Sequence, residues 1–133
     1  ETMTLPRVNP ATNAPPNGIY SHSIKVPANA EWLVMAGQVG VAPDGSIPEG
    51  MTGQAEVAFN NIKMILDHHG WDMTDVVMLT CFLTSLEDRQ EMFEVRKKYF
   101  PEPYPCSTFL VVSSLANPDF IFEAEATAAR VPD

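Results

Sequence analysis

The spacing of apolar residues changes repeatedly along this chain, and each change predicts an element. From Thr52 to His69, the residues Ala55, Ala58, Phe59, Ile62, Ile65, Leu66 and His69 recur at three- and four-residue steps. That stripe predicts an amphipathic helix, with Thr52 as its N-cap and Gly70 placed to end it in left-handed conformation. Val76–Leu83 is instead an almost unbroken apolar run, the pattern of a strand covered on both faces. A hydroxyl cap and an acid in Ser85-Leu86-Glu87-Asp88 open a second helix. Met92, Val95, Tyr99 and, less cleanly, Phe93 face inward from it, and Pro101, Pro103 and Pro105 stop it.

Period-two segments flank this centre. Tyr20–Val26 sets Tyr20, His22, Ile24 and Val26 against Ser21, Ser23 and Lys25. After the turn Pro27-Ala28-Asn29-Ala30, Glu31–Val39 predicts a second strand, and the two are expected to pair as a hairpin. Ala42-Pro43-Asp44-Gly45 is a turn signal, and the Pro- and Asn-rich first eighteen residues predict a short strand or arm followed by turns. Tyr104–Val112 predicts a strand entered through prolines, and residues 120–128 predict the last one. Alternation in that last run puts Phe120, Phe122, Ala124 and Ala126 on one face, with Ile121, Glu123, Glu125 and Thr127 on the other. Glu123 and Glu125 then stand roughly 7 Å apart, on a solvated surface or lining a pocket.

The predicted order, β-β-α-β-α-β-β, is that of an α+β domain over residues 1–133, with two helices on one face of a single mixed sheet. The second apolar face of Val76–Leu83 needs another cover, which a neighbouring subunit would supply. Composition narrows the class. A chain of 133 residues with 45% hydrophobic residues buries a core, and no apolar run reaches the roughly 20 residues of a membrane span. No secretory leader pattern stands at the start, so a cytoplasmic address is the default. Seventeen acidic against eight basic residues give net charge −9, which repels a phosphate backbone and argues against a nucleic-acid partner. The basic run Arg96-Lys97-Lys98 is expected to be the solvated face of the second helix near its C-terminal end. Cys81 and Cys106 lack C-x-x-C spacing, and the adjacent His68 and His69 diverge by about 100° on a helix, so neither a metal nor another cofactor is expected.

Several motifs carry a resemblance over almost the whole chain. Gly18-Ile19-Tyr20-Ser21, Met35-Ala36-Gly37-Gln38, Asn60-Asn61-Ile62, Asp75-Val76-Val77 and the Glu123-x-Glu125 pair resemble the Rid (YjgF) family of reactive-intermediate deaminases. That resemblance implies a chorismate-mutase-like fold and a homotrimer with small-molecule clefts between subunits. It further implies an arginine clamping a substrate carboxylate and a glutamate positioning the water that hydrolyses an enamine or imine. Glu123 matches the glutamate, and Tyr20 matches an aromatic lining the cleft, with Ser21 beside it. The arginine of the family's Pro-x-Arg is absent: the triplet here is Pro105-Cys106-Ser107. A serine hydroxyl hydrogen-bonds but brings no charge. Where the family's enzymes often carry an asparagine in the second helix, this chain has Phe93, a second change towards a less polar site. The usual small imino acids are therefore poor substrates on this reading, unless Arg7, Lys25, Arg89 or Arg130 supplies a cation. The expected ligand is a larger or less acidic enamine or imine; alternatively, the chain is a non-catalytic binder of a metabolite or protein. Cys106 is a candidate at the cleft, on the face opposite Ser107 by alternation, although a buried inert thiol is the simpler reading; Cys81 belongs in the core.

Overall fold

A computed structural model describes residues 4–133. Among these residues, seven strands and two α-helices follow in the order β1 (Arg7–Val8), β2 (Ser23–Ile24), β3 (Glu31–Val34), β4 (Gln38–Val39), α1 (Met51–His69), β5 (Val76–Leu83), α2 (Arg89–Tyr99), β6 (Cys106–Val111) and β7 (Phe122–Arg130). The main sheet runs β3-β7-β5-β6, with β4 also paired to β7. Only β5 and β6 are parallel; the remaining pairs in this sheet are antiparallel. Both helices pack on one face, giving the expected α+β architecture.

The core follows from the two periodicities. Ala55, Ala58, Phe59, Ile62 and Leu66 of α1 are buried against Leu79, Cys81 and Leu83 of β5 and Phe122, Ala124 and Ala126 of β7. Phe59 stands at its centre, edge-on to Phe100 at 5.5 Å and to Phe122 at 5.2 Å. The alanines of β7 leave room for the helices above the sheet. Gln54 is the polar exception: its side chain donates to the Pro48 and Asp119 carbonyls and accepts from Ile121 N–H, tying α1 to the start of β7.

Three expectations need correction. The hairpin between the Tyr20 and Glu31 segments does not form: β2 is only two residues long and pairs with β1, whereas β3 pairs with β7. The segment expected as a strand over Glu31–Val39 breaks at Met35-Ala36-Gly37 into β3 and β4. Asn61 holds β4 in place by donating to the Val39 and Val41 carbonyls. Thr52 is not the N-cap of α1; Gly50 is, and the Thr52 hydroxyl donates to Glu91 across the helix pair at 2.6 Å. Gly70 does end α1 with φ +76, accepting the role that its missing Cβ permits.

The second face of the sheet is largely open. Met78 and Phe82 of β5 are only half-buried there, and Trp32 and Val34 of β3 are 57% and 78% exposed. Glu123 and Glu125 lie on the same face, paired in register with Phe82 and Thr80. At one end the N-terminal arm covers it, with Leu5 packed on Val77 and Ala129. Arg7 fastens that arm by donating to the Leu5, Thr74, Val76 and Tyr104 carbonyls.

Candidate functional site

A cleft of about 640 Å³ opens between the segment Asn17–Tyr20, α2 and the edge strand β6. Of the site residues expected from the sequence, Tyr20, Phe93 and Ser107 line it. Phe93 of α2 and Phe109 of β6 form one wall, with ring centroids 5.8 Å apart and planes inclined by 33°. Tyr20 borders it with its hydroxyl donating to Asn17 Oδ1.

The floor holds the principal surprise. Arg96 is 2% exposed and not a solvated surface cation. Its Nη1 donates to Ser107 Oγ at 2.9 Å and its Nη2 to the Ile19 carbonyl at 2.8 Å. The Nε is buried with no hydrogen-bond partner, and among the described residues no carboxylate pairs with the group. The Cys81 thiol of β5 interacts with the guanidinium from below, but burial pushes that thiol up to about 11, so it is neutral at pH 7 and offsets no charge. Burial likewise lowers the Arg96 pKa, the sign of a desolvated cation. Removing a cation from water without a counter-ion costs several kcal/mol, only partly offset by two neutral acceptors. Such a site favours an incoming anion. Arg89 and Lys97 also border the cleft, and none of its lining residues is acidic, although the chain carries net charge −9.

The other expected site residues lie elsewhere. Ser21 is buried, but its hydroxyl donates to the Tyr104 carbonyl at 2.7 Å and its N–H to the Pro105 carbonyl, a structural role in docking the arm. Cys106 pairs with Met78 and Ser107 with Leu79, so the thiol faces away from the cleft. Burial raises the Cys106 pKa, with the Arg7 charge opposing. Glu123 also lies on the opposite sheet face: its register partner is Phe82, three residues beyond Leu79. There its side chain rests directly over Gly37, where any Cβ would overlap the carboxylate. The four cations considered for rescue divide: Arg7 is committed to carbonyls, Arg130 to Gly70 and Asp75, Lys25 is exposed, and Arg89 borders the cleft. The buried cation is one that sequence reasoning missed. Its signal was spacing: Met92, Val95, Arg96 and Tyr99 form an i, i+3, i+4, i+7 stripe, placing Arg96 on the inward face.

Two helices on a mixed sheet, with a cation-floored aromatic cleft at the sheet edge, define an α+β domain. Residues 11–130 match the family described as Endoribonuclease L-PSP. The chain is 37% identical over 117 residues to a RutC family protein of Pyrococcus abyssi, covering 86% of this chain and 89% of that one. It is 31% identical to the 2-iminobutanoate/2-iminopropanoate deaminase of Bos taurus, covering 86% and 82%. The crystal structure of a Rid-family protein of unknown function, YyfB from Yersinia pestis, superposes with TM-score 0.83 at 26% identity, covering 95% and 98%. The chain belongs to this family, the Rid proteins.

Proposed function

We propose that this protein is a cytoplasmic, homotrimeric deaminase-type hydrolase acting on an enamine or imine intermediate. The net reaction adds water across the C=N bond of a protonated imine, expelling ammonium and leaving a carbonyl. The carrying observation is the desolvated, carboxylate-free guanidinium of Arg96 at the floor of a cleft bordered by Tyr20, Phe93 and Ser107. A fixed positive charge holds the anionic group of a substrate and so orients the imine carbon for attack. The relative in Bos taurus bears the name of a deaminase of this type.

In the proposed mechanism Glu123 positions and deprotonates the attacking water. Glu123 and Ser107 project from opposite faces of one sheet, so they do not meet within a subunit. The open sheet face around Glu123, Phe82, Trp32 and Val34 therefore supports an assembly in which one copy presents its glutamate to the cleft of the next. The two unpaired cysteines agree with a reducing compartment.

The test is ammonia release from imines generated in situ by an amino-acid oxidase, with and without the protein. Acceleration by the wild type, lost by at least about 100-fold in Glu123→Gln, supports the reading. No acceleration with imines of alanine, leucine or phenylalanine would replace it with the non-catalytic binder, for which the cleft is a metabolite site only.

A further inference from the structure

Ser107 of β6 brings no charge to the cleft, yet the cleft is not without a cation. We propose that Arg96, delivered from α2 instead of the strand, is the specificity-determining cation of this cleft. It would clamp the carboxylate of a ligand whose body is apolar and bulky, such as an aromatic or branched-chain imino acid. This inference rests on the cleft being the ligand site of the proposed function and names the ligand class it takes.

A guanidinium has five N–H donors, and two of the Arg96 donors are used by Ser107 and Ile19. Its partners are a hydroxyl, a carbonyl and the neutral Cys81 thiol, none of them charged, and its Nε has no hydrogen-bond partner. Arg89 and Lys97 at the same cleft add to the potential, and no lining carboxylate reduces it. Ser107 gains a reason from this arrangement. An arginine at that position would set a second guanidinium against Arg96, whereas a serine accepts from Arg96 Nη1 and holds the fork in place.

The steric argument fixes the rest of the ligand. Phe93 and Phe109 line the cleft as a tilted pair, with Tyr20 at its border. An imino acid with a methyl side chain would leave these rings in water, whereas a phenyl or branched aliphatic group would cover them. A neutral enamine would leave Arg96 uncompensated. The combination asks for one carboxylate and one apolar group on the same molecule.

Stable probes test this without turnover: 3-phenylpropanoate, its neutral isostere 3-phenylpropanamide, and propanoate, with binding measured by calorimetry on the intact assembly. The acid is expected to bind at least about 30-fold more tightly than the amide, and propanoate about 10-fold or more weakly than 3-phenylpropanoate. Arg96→Met should abolish the preference for acid over amide, and Arg96→Lys should retain part of it. Equal binding of acid and amide by the wild type overturns the inference regardless of how the variants fold. So does an acid preference that survives in a folded Arg96→Met protein. Equal binding of propanoate and 3-phenylpropanoate overturns the apolar half. A preserved acid preference with no imine hydrolysis would sink the proposed activity alone; hydrolysis with no acid preference would sink this inference alone.

Discussion

Replacing Gly37 by alanine separates the role of Glu123 from the stability of the fold. A Cβ at residue 37 would stand 2.9 Å from Glu123 Cδ and 3.2 Å from Cγ, and would overlap Oε2. Ordinary contact between such atoms needs about 3.5 Å, so the carboxylate must swing aside by about 1 Å or more. The atoms displaced belong to the far end of a flexible, half-exposed side chain and not to backbone, so the strain is cheaply relieved. Gly37 has no positive φ, and alanine there reduces the freedom of the unfolded chain, an offset of about 0.4–1 kcal/mol. The net change in stability should be within about 1 kcal/mol, a shift in Tm of about 4 °C or less for a chain of this size. Catalysis has no such slack: misplacing a catalytic group by about 1 Å costs about 100-fold. Ammonia release from an in situ imine, read beside a circular-dichroism melt, should show a roughly 100-fold slower Gly37→Ala enzyme melting near the wild-type temperature. Activity within about twofold of wild type, with Tm unchanged, would refute a water-activating Glu123. A fall in Tm of more than about 8 °C would refute the claim that its side chain yields easily.

Gln54→Ala should destabilise the fold by about 2–4 kcal/mol in urea titrations, because it strips partners from Ile121 N–H and two carbonyls in a buried junction. The Cys81 thiol, raised by burial from 9.0 to about 11, ionises in the unfolded chain before it does in the folded one. Its contribution is fully present below pH 9 and lost as pH rises towards 11, a total of about 2–3 kcal/mol that Cys81→Ala should remove from the alkaline arm of the stability profile.

Where local pattern and tertiary packing agreed, the chain could be read directly. The α1 stripe from Ala55 to Leu66, its Gly70 terminus and the span of β5 lie where their periods indicate, because burial on a defined face imposes such a period, whereas His69 falls in the last turn and is exposed. The alternation of β7 separated core alanines from Glu123 and Glu125 correctly. Pairing partners were not legible. Two neighbouring strand-like segments suggested a hairpin, but β7 supplies a longer partner for β3, and the break at Gly37 follows from the seat it gives Glu123. In the site, Tyr20, Phe93 and Ser107 came together, while Ser21 and Cys106 are engaged or turned elsewhere. Arg96 was misread because a run of three cations looks solvated, although helical spacing turns its first member inward and leaves Lys97 and Lys98 outside.

The placement of β7 also bears on biosynthesis. It is the last strand of the domain to be translated, yet it lies in the interior of the sheet, paired with β3 and β4 along one edge and β5 along the other. Until it emerges, β3 has no sheet partner and β5 has an unpaired edge beside a row of apolar side chains. The sheet therefore closes only after translation of the domain is nearly complete, through contacts distant in sequence. Until then those unpaired edges are open to pairing with other chains.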